Sequence, residues 1–99
     1  MRLRWTTLAQ ADLFEISDYL MDRNPQAAIA VEDRILLAAE ALLTFPRQGR
    51  PGRIAHTREL VLSGLPYLII YGEAQGEVVL YRIVHAARDI ASWALEELE

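Results

Sequence analysis

Three arginines stand where a cation has chemical consequences: Arg58, Arg82 and Arg88. Arg82 interrupts the apolar run from Val78 to His85. A guanidinium cannot escape burial by losing its proton, so it must reach a paired carboxylate, solvent or a functional surface. Grouped guanidiniums bind phosphate or carboxylate bidentately, which points to a site for an anion or an acidic partner. The competing reading is a set of structural ion pairs with Glu59, Glu73 or Asp89. A second basic group lies just upstream. Arg47, Arg50, Arg53 and Arg58 fall within twelve residues that hold no acid, with His56 among them. That segment is either a binding loop or a solvated one.

Proton-transfer chemistry has few carriers here. All ten basic residues are arginine, so no lysine can serve as base, acid or Schiff-base amine. The two histidines, His56 and His85, are each expected near a strand end. Hydrogen bonding to backbone is the plainer role for His85, and a two-histidine, one-carboxylate metal site is disfavoured. No nucleophile elbow, phosphate-binding Gly-rich loop or metal-ligand motif is present, so no cofactor is expected.

Composition narrows the setting. Ninety-nine residues make one domain over 1–99, and 53% apolar residues is generous for that size. The surplus implies apolar surface that meets a partner. There is no cysteine, which excludes disulfides and thiolate metal sites. The first residues have no long apolar core and no apolar run approaches about 18 residues, so a cytoplasmic protein without membrane contact is expected. The net charge of −4 argues against nucleic-acid binding through bulk charge. The acids gather at Asp12, Glu15, Asp18 and Asp22, and again at Glu96, Glu97 and Glu99.

The elements that must position these groups follow from periodicity. Leu3-Arg4-Trp5 alternates as a short strand, and Thr7 is placed to cap a helix from Leu8 to about Arg23. Asn24-Pro25 supplies a cap and a first helical residue for a second helix to about Thr44. Its buried stripe is expected to be Ala28, Val31, Ile35, Ala38 and Leu42, packed on Leu8, Ala9, Leu13, Ile16 and Leu20 of the first. A loop follows Phe45-Pro46. Strands are expected at Arg58–Leu62, Tyr67–Tyr71 and Val78–His85, with a six-residue loop from Gly72 to Glu77, and Asp89 caps a final helix over Ile90–Leu98. Period-2 logic puts Val78, Leu80, Arg82 and Val84 on one face of the last strand, and Val79, Tyr81, Ile83 and His85 on the other. The class is α+β: a helix hairpin on a small antiparallel sheet, in the order β-α-α-β-β-β-α.

The ordered set of motifs resembles the RelE/ParE superfamily of toxins from bacterial type II toxin–antitoxin systems. The resemblance rests on Ala11-Asp12-Leu13 with Ile16 and Tyr19-Leu20, Phe45-Pro46 with Gly49-Arg50-Pro51-Gly52, and Thr57-Arg58-Glu59-Leu60. It continues through Tyr67–Tyr71 and Val79–Asp89, covering nearly the whole chain. RelE-like members cut messenger RNA in the ribosome, and ParE-like members inhibit DNA gyrase. The absence of lysine and the acidic end lean this chain toward the ParE branch.

The resemblance therefore implies a growth-inhibiting toxin that poisons DNA gyrase and is neutralised by a ParD-like antitoxin in a hetero-oligomer. A silent homologue that binds only its antitoxin is the other non-catalytic outcome. It places the target-facing surface on Arg50, Arg53, Arg58, Arg82, Arg88 and Trp93. The antitoxin would contact Leu13, Ile16, Leu20, Val31, Ile35, Arg58 and Arg82. In the RelE-like alternative, a metal-independent endoribonuclease, the catalytic groups would be Arg58, Arg82 and His85.

Overall fold

The computed structural model describes residues 1–88 of the 99. The helix expected over Ile90–Leu98, with Trp93 and the capping Asp89, lies outside the described residues. Strand β1 (Arg2–Trp5) leads into helices α1 (Thr7–Arg23) and α2 (Pro25–Thr44). Strands β2 (Arg50–Pro51), β3 (Arg58–Val61), β4 (Tyr67–Ala74) and β5 (Glu77–His85) follow.

Local chemistry sets the helix ends. Thr6, one residue before the expected cap, closes α1: its Oγ1 accepts from the Ala9 N–H at 3.0 Å. The strand begins one residue earlier than alternation implied, at Arg2, and just past its end the Thr6 N–H still donates to the Leu80 carbonyl. Asn24 serves both helices at once. Its N–H donates to Leu20 O and its Oδ1 accepts from the Ala27 N–H, with Pro25 opening α2 where a missing N–H costs nothing. A one-residue joint forces the two helices back to back. Ala9, Ala28 and Ala39 are buried, small side chains that permit close packing.

The sheet order is β1-β5-β4-β3-β2. Its last four strands are antiparallel neighbours, but β1 lies parallel beside β5, so the sheet is mixed rather than wholly antiparallel. A parallel partner requires a long crossover, and the helix hairpin begins it. The two-residue β2 was not foreseen. It forms the edge by pairing Arg50 with Glu59 and Pro51 with Arg58, and an edge is where a proline can sit in a sheet.

Two further departures share a cause in strand pairing. The expected six-residue loop contracts to Gln75-Gly76, both at positive φ, because a tight turn of that form matches strand twist. The register slips between Tyr71, opposite Leu80, and Ile70, opposite Arg82, so Tyr81 is an extra residue. This bulge reverses the alternation of β5. Val78, Leu80 and Ile83 join Ile69, Tyr71, Ile35 and Leu42 in the core beneath the helices. Val84 joins Leu68 and Ile70 in a smaller cluster on the other face.

Candidate functional site

The bulge decides what Arg82 does. β1 accompanies β5 only as far as Leu80, so the edge of β5 beyond it needs other partners. Helix α1 supplies them. Thr6 Oγ1 donates to the Tyr81 carbonyl at 2.9 Å, and Asp12 Oδ2 accepts the Ile83 N–H at 2.9 Å. The same carboxylate takes a bidentate guanidinium: Arg82 Nε donates to Oδ2 at 2.8 Å and Nη2 to Oδ1 at 3.0 Å. The two side chains retain only 16% and 12% of their exposure. Asp12 therefore ties α1 to the sheet edge. Glu59 and Glu73, the foreseen partners, are not the ones used, and Asp89 lies outside the described residues.

The basic loop is held by two buried polar groups. Glu59 is a buried carboxylate. It accepts Arg50 Nε at 3.3 Å and Nη2 at 3.1 Å through Oε1, and the Arg53 N–H at 3.1 Å through Oε2. The Tyr71 hydroxyl donates to Pro46 O and accepts the Gly49 N–H, each at 2.8 Å. Gly49 is required by this approach. A Cβ there would lie 2.8 Å from the Tyr71 ring and 2.9 Å from the Glu59 carbonyl. Arg58 Nη1 donates to Gly49 O at 2.7 Å. The loop is thus built into the sheet rather than merely solvated.

Burial pushes the Tyr71 hydroxyl above the usual tyrosine range, partly offset by the Gly49 N–H and the Arg58 charge, while Glu73 adds to the rise. The folded form keeps its proton where the unfolded chain would lose it, so this contribution is complete below about pH 10 and declines as pH climbs above it. Tyr71→Phe leaves Pro46 O and the Gly49 N–H without their partner and is expected to cost about 1–3 kcal/mol at neutral pH. Urea midpoints measured from pH 8 to 11 should fall at the alkaline end in the parent and fall less steeply in the variant.

His85 and Arg88 form a third neighbourhood. The His85 ring stands edge-on to Tyr67, with centroids 5.7 Å apart, and its Nδ1 accepts the Arg88 N–H at 3.1 Å. Both residues line a groove of about 470 Å³ whose other wall includes Asp12, Glu15, Ile16 and Leu20 of α1. Arg58, Arg82 and His85 do not converge. Arg58 lies opposite Tyr71 and bonds toward the β2 edge, Arg82 lies opposite Ile70 and bonds to α1, and β4 separates them. His85 lies further along, opposite Tyr67.

The apolar candidates divide by exposure. Leu13, Ile16 and Val31 pack partly buried against the core, Leu20 lines the groove, and Ile35 is wholly buried. The large exposed apolar side chains are others: Phe14 at 71%, Leu37 at 64% and Phe45 at 63%, with Ile29 and Leu36. Phe14 and Leu36 flank a cleft with Trp5, Leu13 and Glu32. The signal for them was an excess of apolar residues off the buried stripe. Adjacent Leu36 and Leu37 cannot both face inward, since neighbours on a helix project about 100° apart.

A helix hairpin over a five-stranded mixed sheet, with Arg50 and Arg82 engaged by carboxylates and Arg58 by backbone, makes a small domain of the α+β class. The chain belongs to the ParE toxin family of type II toxin–antitoxin systems, which matches residues 3–90. It is similar to the Y4kP protein of Sinorhizobium fredii, 45% identical over 85 residues that cover 86% of this chain and 88% of that one. It is also similar to toxin RelE2 of Caulobacter vibrioides, 44% identical over 84 residues, covering 85% and 93%. A solved structure of the chromosomal ParDE system from P. aeruginosa superimposes with a TM-score of 0.78 at 27% identity, covering 86% of this chain and 95% of that one. Among the described residues, no helix is long and apolar enough to cross a membrane.

Proposed function

We propose that this toxin arrests growth by binding and poisoning DNA gyrase, and that a ParD-like antitoxin neutralises it in a hetero-oligomer. The observation that carries the reading is the pairing of Arg82 with Asp12. Metal-free RNA cleavage needs groups that activate the 2′-hydroxyl, stabilise the phosphorane and protonate the leaving oxygen around one phosphate. The cation best placed for that role in the sequence is spent on an α1 carboxylate, and Arg58 is two strands away. Binding through arginines and exposed apolar side chains asks for no such convergence. Arg50, Arg53, Arg58 and Arg88 remain the target-facing candidates, and the antitoxin covers α1, α2 and part of the same arginine surface.

The test is a supercoiling and cleavage assay with purified gyrase and rising toxin, run beside in vitro translation. Loss of supercoiling with accumulated cleaved DNA and intact translation is the expected result. Unaffected gyrase with cut messenger RNA would replace this reading with the endoribonuclease.

A further inference from the structure

The corner where α2 ends carries a feature that neither the core nor the helix pairing uses. Leu37, Ala41 and Phe45 succeed one another at four-residue spacing, so they share one side of the last two turns. Leu37 and Phe45 are largely exposed. Phe45 and Pro46 open a shallow apolar recess of about 770 Å³, bordered by Ala41, Thr44, Arg47 and Gln48. Directly beyond it, four arginines and one glutamate fall between residues 47 and 59, in a chain whose net charge is −4.

The loop is also pre-ordered. Tyr71 pins it at Pro46 and Gly49, Glu59 at Arg50 and Arg53, and Arg58 at Gly49. The Gly52 N–H donates to Thr57 O at 2.8 Å and closes its far end. A surface whose backbone is already fixed loses little conformational freedom on binding.

We infer that this corner, Phe45 to Arg53, is the docking surface for an acidic peptide segment of the antitoxin that carries a bulky apolar side chain. The recess takes the apolar group and the arginine rim takes the carboxylates. Charge complementarity selects the occupant: a segment short enough to span one basic loop avoids the acids elsewhere on the chain, which a long polyanion would meet. A phosphate backbone would also leave the recess empty. The inference rests on the reading of the chain as an antitoxin-bound toxin.

The test uses the full chain and its purified cognate antitoxin. Phe45→Asp and Arg47→Glu alter exposed side chains and should leave the unfolding transition in place. Each should weaken antitoxin binding by about tenfold or more, and Arg47→Glu should also flatten its salt dependence. Arg2→Glu, at the opposite sheet edge, should bind as the parent does. Parent-like affinity in both corner variants would overturn the inference while leaving the proposed function standing. A parent chain that binds no antitoxin would remove both. Retained antitoxin affinity with lost gyrase poisoning, or with lost binding to a 20-base-pair DNA duplex probe (a length of about two helical turns), would make the corner a surface for another partner and overturn the inference too.

Discussion

Asp12→Ala is expected to destabilise the fold by about 3 kcal/mol, the lower end of what breaking a buried ion pair costs, because the pair keeps a little solvent contact. The substitution strands the Arg82 guanidinium and the Ile83 N–H together. It also removes a link between α1 and the edge of β5 that β1 does not cover. Asp12→Asn should cost less, since its amide oxygen still accepts the Ile83 N–H. Replacing both charges, Asp12→Leu with Arg82→Met, should recover part of the loss, because the destabilisation comes chiefly from the partner left unpaired. Urea unfolding of the parent, Asp12→Leu, Arg82→Met and the double variant gives the double-mutant cycle directly. A parent-like midpoint for Asp12→Ala would mean the pair contributes nothing. Arg82→Ala should reduce toxicity only in step with lost stability. A toxin folded as well as the parent but inactive would return Arg82 to the list of functional groups.

Ile35→Ala is the second large effect, at about 2–5 kcal/mol. Ile35 is fully buried among Ala9, Leu42, Ile69 and Leu80 in the core between helices and sheet. Leu37→Ala, two residues on and mostly exposed, should change stability by no more than about 0.5 kcal/mol. The contrast separates packing from partner contact. Ile35→Val, costing about 0.5–1.5 kcal/mol, should bind antitoxin as the parent does under conditions where both are folded. A binding defect in that mild variant, with an unchanged unfolding curve, would place Ile35 at an interface and contradict its burial.

These residues mark how far the sequence could be read. Asn24-Pro25 and Phe45-Pro46 announced the helix hairpin, because capping and the missing proline N–H act within a few residues. The α+β class followed from the period change after them. The first helix's cap was misplaced by one residue, since Thr6 is also drawn into the sheet by Leu80. The alternation of β5 broke at Tyr81, because nothing in an apolar run signals which strand will take an extra residue. Exposed Leu37 and Phe45 were missed because an apolar side chain looks the same in sequence whether it is covered by its own chain or by another.

The arginines show the boundary most sharply. That Arg82 needed a partner was evident from the chemistry of a guanidinium in an apolar strand. That the partner is Asp12, 70 positions away, depended on where β1 stops and how α1 crosses the edge it leaves. That Glu59 sits buried beneath a basic loop depended on an edge strand of two residues. Sequence alone determined the class of fold, the hairpin, the charge polarity and the absence of lysine and cysteine chemistry. Tertiary structure alone decided which charges are neutralised and which surfaces stay open, because pairing and burial are set by groups far apart in the chain.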